Sequence, residues 1–148
     1  MTNEDEVRKA SQEFYKALNQ MVNGDAEALK AIWSHSPQVT TMHPVGGRQI
    51  GWDEVWNTWN QVAQVSSDGK VELHDQFITS SGEMAYEIGI EHAGFRVAGT
   101  QTEGQIRVTN IYRKESGHWK IVHHHTDLVP SMVEVVNQLQ KGAKESAV

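Results

Sequence analysis

Apolar residues recur at helical spacing near the start of the chain, with Val7, Ala10, Phe14, Ala17, Leu18 and Met21 on one face. Thr2, with Asp5 three positions on, has the form of an N-cap, and Asn23 with Gly24 supplies a stop, so a first amphipathic helix is predicted. Asp25 is placed to cap a short second helix carrying Ala28, Leu29, Ile32 and Trp33 on one side and ending before Pro37. The β-branched run from Val39 to His43 predicts a short strand, which Pro44 and the pair Gly46 and Gly47 stop. After Gly51, the residues Trp52, Val55, Trp56, Trp59, Val62 and Ala63 keep to one side of a third helix, which ends in the turn-forming run Ser66 to Gly69. Three Trp on one helix face predict deep packing.

From Lys70 the period changes to two, with breaks at 80–82, 97–100 and 115–117, which predicts four long strands in a meander. Tyr86, Ile88, Ile90 and His92 alternate with Glu87, Gly89 and Glu91; Ile106, Val108, Asn110 and Tyr112 alternate with Gln105, Arg107 and Thr109. The apolar parity turns Tyr86, Ile88, Val108, Asn110 and Tyr112 towards the helices, and leaves Glu87 and Glu91 outward, solvated or at an interface. Pro130 and Ser131, with Glu134 as a capping-box partner, start a last helix bearing Met132, Val135, Val136 and Leu139, with an end near Gly142. Helices followed by an uninterrupted run of strands give an α+β order, not the alternation of a parallel sheet. No repeat or linker divides the chain, so residues 1–129 form one domain and residues 130–148 are its C-terminal helix and tail.

Composition narrows the function classes. The length of 148 residues fits one domain with a sizeable core. A formal charge of -6 leaves no basic excess for phosphates or anionic lipid, so neither nucleic acid nor membrane is an expected partner. No apolar run approaches the ~20 residues of a bilayer span, and the acidic start Thr2 to Glu6 is unlike the basic start of a signal peptide, so the expected location is cytoplasmic. With no Cys there is no disulfide, no thiolate metal site and no Cys nucleophile. Chemistry falls to His, carboxylate, hydroxyl and amide groups.

Histidine is the side chain whose ordinary pKa, ~6.5, allows proton exchange near neutrality. His35, His74 and His118 fall in turns or at polar strand positions and read as surface residues. His43 ends a strand just before Pro44 and the two glycines, a turn that lets backbone fold closely round a ligand; the alternative is a His that caps the strand end. On the last strand His123 and His125 share a face with Trp119, Ile121 and Asp127, while His124 goes with Val122 and Thr126. Apolarity brings Trp119 and Ile121 inside and His123 and His125 with them. The other register brings in Val122, His124 and Thr126, and one bulge would exchange the two. His123, His125 and Asp127 are weak candidates for a Zn or Fe site, which would need a further ligand, and no metal is expected. Asn110, a polar group among apolar ones, must bond to protein, water or ligand. There is no Gly-x-Ser-x-Gly elbow and no phosphate-binding loop.

Three segments together resemble a known family: the helical hairpin with Asn23, Gly24 and Asp25; Thr41 to Gly47 with Gly51 and Trp52; and the closing run Gly117 to His125. They are similar to the SnoaL-like branch of the nuclear transport factor 2-like, ketosteroid isomerase-like superfamily, over nearly the whole chain. The resemblance implies a cone-shaped α+β barrel with three N-terminal helices on a curved antiparallel sheet, and a homodimer through the outer sheet face. It implies that His43 stands where steroid isomerases carry their catalytic Asp and that Asn110 falls near their oxyanion-stabilising Asp. Their catalytic Tyr has no firm counterpart, Tyr15 lying at an uncertain register. By analogy with the kinase association domain of the superfamily, Val55, Ile88 and Thr126 take pocket positions, which favours the second register of the last strand. The expected function is a small-molecule-binding protein, a cofactor-independent isomerase, cyclase or dehydratase with His43 as general base and Asn110 as oxyanion donor, helped by Tyr86 or Tyr112. Trp33, Val55, Trp59, Tyr86, Ile88, Val108, Tyr112, His124 and Thr126 are the expected ligand contacts, with a small apolar or carbonyl-containing molecule as ligand and no cofactor. The alternative is a non-catalytic ligand-binding or dimerisation module.

Overall fold

Helix α1 (Asn3–Met21) begins with a full capping box, Thr2 Oγ1 accepting from Asp5 N and Asp5 Oδ2 accepting from Thr2 N, both at 3.1 Å. These contacts come from a computed structural model that describes residues 1–146; Ala147 and Val148, part of the expected tail, lie outside the described residues. The predicted apolar face of α1 is buried at Val7, Phe14, Ala17, Leu18 and Met21. The same helix and the turn after it close a sheet edge, because the Asn19 amide bonds both N–H and C=O of Val71 (2.9 and 2.8 Å) and the Asn23 amide, just past the helix end, does the same for Gly69 (3.0 and 2.9 Å). Paired backbone groups cannot template a further strand. Gly69 permits this approach, since a Cβ there would lie 2.7 Å from Val22 and 2.6 Å from Phe95.

The second helix is a 3-10 segment, Glu27–Ala31, held by bonds such as Leu29 N to Ala26 O at 3.1 Å. So short a segment between Asp25 and Pro37 gains little from an α ladder. Strand β1 (Thr40–His43) is present, but the glycines after it turn the chain instead of ending it: Gly46 (φ +104°) and Gly47 (φ +84°) lead into β2 (Gly46–Ile50), an antiparallel partner that the sequence reading missed. In α2 (Trp52–Gln64), only Trp59 of the three Trp is fully buried, alongside Val55 and Ala63 four residues either way. Trp52 and Trp56 flank that line and are covered from outside, Trp52 by the stacked His35 ring (4.2 Å) and Trp56 by Lys30 Nζ (4.3 Å).

Strands β3 (Ser66–Ser81), β4 (Met84–Val97), β5 (Thr100–Glu115) and β6 (His118–Thr126) form the meander. The sheet order is β2-β1-β6-β5-β4-β3, with β1 and β6 parallel and the other pairs antiparallel. The expected turn at 66–69 is instead a bulged start to β3, with Asp68 at φ +51°. The parity expected for β4 is reversed. Ala85, Ala93, Phe95 and Val97 face the core, so Glu87 and Glu91 go inside with them, while Tyr86 and Ile88 lie on the outer face, 46% and 43% exposed. On β6 a bulge between the pairs Ile111–His123 and Tyr112–Ile121 makes Val122 the extra residue. Both registers are therefore used in turn, with Trp119 and Ile121 inward before the bulge and His124 and Thr126 inward after it.

Helix α3 (Pro130–Ser146) passes the expected end at Gly142 and anchors through Met132, which is fully buried. The resulting α+β cone has α1 and α2 over the concave side of the sheet. Among the described residues no helix is long and apolar enough to cross a membrane.

Candidate active site

His43, at the end of β1, is buried with its ring edge-on to Trp59 of α2 (centroids 4.5 Å apart, 85° between planes). It borders a cavity of about 40 Å³ together with Pro44, Val45, Trp59, Glu91 and His124; Leu18, Met21, Val22, Val62, Val71, Ala93, Phe95 and Ile106 complete the wall. Among the described residues, no group lies within hydrogen-bonding reach of His43 Nε2, Trp59 Nε1 or Trp33 Nε1. A buried polar atom in that state costs ~1–3 kcal/mol, which a ligand oxygen or a water would recover.

The polar side of the cavity is organised by a buried network that starts at Glu87. Its carboxylate accepts from Gln76 Nε2 (2.6 Å), Asn110 Nδ2 (2.9 Å) and Tyr112 Oη (2.9 Å). A carboxylate only accepts, so the Asn110 amide nitrogen faces Glu87 and its Oδ1 faces His124 Nδ1 at 2.6 Å. His124 is thereby fixed with its hydrogen on Nδ1 and its lone pair on Nε2. The second hydrogen of Asn110 Nδ2 goes to Tyr15 Oη (3.2 Å), and Tyr15 in turn donates to Glu91 Oε2 at 2.8 Å. The β3 bulge at Asp75 (φ +55°) is what rotates Gln76 inward to reach Glu87.

Burial sets the ionisation of these groups. Glu91 is pushed up to about 7, chiefly by burial, with the Tyr15 hydrogen bond pulling the other way and the Glu87 charge adding to the rise. His43 is pulled down to about 4 by burial alone, and His124 lies well below the ordinary value through burial and the neighbouring His43. Tyr15 and Tyr112 are raised, first by burial and then by the carboxylates beside them. Near neutral pH the cavity therefore holds two uncharged imidazoles and a carboxyl group poised between its two forms.

The expected site residues are only partly gathered here. His43, Trp59 and His124 border the cavity. Trp33 (centroids 6.2 Å from Trp59), Val55, Val108, Tyr112 and Thr126 are buried but do not border it, and Thr126 Oγ1 donates to Met42 O at 3.0 Å. Tyr86 and Ile88 lie on the far side of the sheet and cannot contact a ligand in the cavity. Asn110 is fully buried, but both of its amide hydrogens and its carbonyl are committed to protein partners, so it orients His124 and has no donor free for an oxyanion. His123, His125 and Asp127 are not gathered into one donor set, since His123 Nδ1 bonds Thr40 Oγ1 (2.6 Å) and Asp127 accepts from Arg107 Nε (2.6 Å). The sequence reading placed Glu87 and Glu91 outward and left Tyr15 at an uncertain register, whereas all three are buried; the signal for the carboxylates was the inward parity of Ala93, Phe95 and Val97 further along β4.

A family model described as SnoaL-like domain matches residues 7–130, most of the chain. The protein belongs to the SnoaL-like family. Solved structures similar to this SnoaL-like protein include an NTF2-like candidate dehydratase from Streptomyces avermitilis, 22% identical over 86% of this chain and 96% of that one, with a TM-score of 0.75. The CaMKII hub of S. rosetta is 20% identical over 86% and 97%, with a TM-score of 0.68. A candidate ketosteroid isomerase from Shewanella frigidimarina is 21% identical over 80% and 92%, with a TM-score of 0.65. At these identities the likeness is one of fold. No match was found among curated proteins.

Proposed function

We propose that this SnoaL-like protein is a cofactor-independent acid–base enzyme, of the isomerase, cyclase or dehydratase type, acting on a small apolar carbonyl compound held in the cavity beside His43. The observation that carries this reading is Glu91, a carboxyl group inside a nearly apolar cavity with its pKa pushed up to about 7. General bases work best when poised near the operating pH, and a positioned one typically contributes ~10²–10⁴-fold in rate. Glu91 is better matched to that task than His43, whose pKa burial pulls down to about 4, leaving its imidazole a weak base. In this reading Glu91 takes the proton from carbon next to the carbonyl, and His43 Nε2, which has no protein partner, hydrogen-bonds to the oxygen on which charge develops. Asn110 acts through His124, as a positioning residue. The candidate dehydratase and candidate isomerase among the similar structures support a reaction class of this kind on the same fold.

The test is solvent exchange. Small cyclic ketones incubated with the protein in deuterated buffer should incorporate deuterium next to the carbonyl, with Glu91→Gln slowing the rate by at least ~10²-fold. Exchange no faster than in the variant would remove the enzyme reading.

A second feature favours self-association. Phe77, Met84, Tyr86 and Ile88 are 43–54% exposed and cluster on the outer face of β3 and β4, where Phe77 pairs with Ile88. A contiguous apolar patch of this kind marks an interaction surface, and we assign it to a homodimer formed sheet to sheet. The hub among the similar structures supports assembly on this fold. Should the exchange test fail, this surface is the ground for reading the protein as a dimerisation module.

A further inference from the structure

We infer that the ligand of the His43 cavity carries a hydroxyl group, which receives a hydrogen bond from Trp59 Nε1 and donates one to His124 Nε2. The inference rests on reading this cavity as the ligand site and goes beyond it by naming the group recognised. Its basis is the direction of the hydrogen bonds. The chain of contacts from Glu87 through Asn110 to His124 runs one way only: Glu87 accepts from the Asn110 amide nitrogen at 2.9 Å, so the amide oxygen accepts from His124 Nδ1 at 2.6 Å, and Nε2 is left as an acceptor. Beside it, with ring centroids 5.5 Å apart, Trp59 brings the opposite character, a buried N–H that only donates and has no partner. Both rings border the same cavity.

A hydroxyl is a group that satisfies a lone donor and a lone acceptor at once. An ether or carbonyl oxygen would satisfy Trp59 and leave His124 opposite another lone pair. An ammonium would satisfy His124 and leave Trp59 facing a further donor. A carboxylate accepts only, and neither Lys nor Arg borders the cavity to offset its charge next to Glu91. At ~10–15 Å³ per water-sized group, a space of about 40 Å³ takes roughly three or four such groups, enough for a hydroxyl and the carbon that bears it. The part of the ligand that bears the hydroxyl is therefore small, and it meets the apolar wall formed by residues such as Leu18, Met21 and Val62.

Four probes of similar size separate these cases: butan-2-ol, its isomer diethyl ether, propanoate, and 2-aminobutane as the ammonium. Each is titrated into the whole protein and followed by the Trp59 indole N–H in proton–nitrogen spectra. The alcohol should give a saturable shift and bind on the order of tenfold tighter than the ether, with the propanoate and the ammonium weaker still. His124→Phe should bring alcohol and ether within about twofold of each other, and His124→Gln, which keeps an acceptor, should retain the preference. A measurement on the native protein needs no variant. The ring nitrogens of His124 should show the hydrogen on Nδ1, and the Nε2 resonance should move when butan-2-ol is added. Equal binding of alcohol and ether, tightest binding of propanoate or the ammonium, no saturable shift with any probe, or a His124 hydrogen on Nε2 would each overturn the inference. Failure of ketone exchange with this preference intact would remove the acid–base reading alone, and exchange without the preference would remove only the hydroxyl.

Discussion

Tyr15 and Glu91, 76 positions apart in the chain, meet through a hydrogen bond of 2.8 Å from the phenol to Oε2, and this contact joins the first helix to the polar side of the cavity. It is the one influence that lowers the Glu91 pKa, against burial and the Glu87 charge that raise it. Tyr15→Phe is therefore expected to move the Glu91 titration upward from about 7, and to lower stability by roughly 1–2 kcal/mol, because Asn110 loses the Tyr15 acceptor as well. Carboxyl carbon resonances followed through a pH titration read the first effect and denaturant unfolding the second. A titration that stays put or moves down would show that the bond does not favour the carboxylate.

Glu91 also makes stability depend on pH in a definite direction. Its folded pKa, about 7, lies above the ordinary 4.5, so between these values the folded state holds a proton that the unfolded state has lost. Stability from this group is complete below pH ~4.5 and is lost as pH rises through 7, by roughly 3 kcal/mol in all. Glu91→Gln removes the titration. The variant should gain on the parent protein by roughly 2–4 kcal/mol between pH 5 and pH 8, read from urea midpoints at the two values. A constant difference between the two proteins across that range would contradict the placement of Glu91.

His43 works in the opposite sense. Its pKa falls from 6.5 to about 4 on burial, so between those values the unfolded state binds the extra proton and stability falls as the solution is acidified. His43→Phe keeps a ring edge-on to Trp59 and removes the titration. Relative to the parent, it should gain up to roughly 3 kcal/mol on going from pH 7 to pH 4, and it also removes a buried nitrogen without a partner. An unfolding midpoint that moves in parallel with the parent on acidification would argue that the imidazole is reached by water in the folded state.

How much of this was legible in the sequence follows from how far each signal extends along the chain. Helical periodicity in Val7 to Met21 and alternation in β5 are local patterns repeated many times, and both predict the elements found. The parity of β4 fails as a prediction because both of its faces carry apolar residues: Tyr86 and Ile88 on the outside compete with Ala85, Ala93 and Phe95 on the inside, and small inward residues weigh little beside large outward ones. The choice is made by tertiary contacts. Glu87 comes inside where Gln76, Asn110 and Tyr112 each supply a donor, and those donors come from two other strands. The β6 bulge is legible only as a pair of alternatives, because a single extra residue, Val122, leaves no local mark in a run of three His. His43 was visible from its position before Pro44, whereas Glu91, which borders the same cavity, was hidden by the reversed parity of one strand.

That reversed parity has a consequence on the outside of the sheet, where it leaves Ile88 next to Phe77 and Tyr86 next to Ile111 in register across three strands. Each of these side chains would bury apolar surface worth ~1.5–3 kcal/mol on being fully covered, so a charge placed among them opposes sheet-to-sheet contact twice, by the lost burial and by desolvation. Ile88→Lys is half-exposed in the single chain, so its own folding should change by less than ~1 kcal/mol, whereas association should weaken by at least ~10²-fold. Sedimentation at matched concentrations would report the mass of each form, and circular dichroism would show that the variant is folded. A parent protein that sediments as a single chain would remove the dimer, and an Ile88→Lys variant that associates as the parent does would move the contact to another face. The cavity lies on the other side of the sheet, so the variant should keep the ketone exchange of the parent within about twofold, which separates assembly from chemistry.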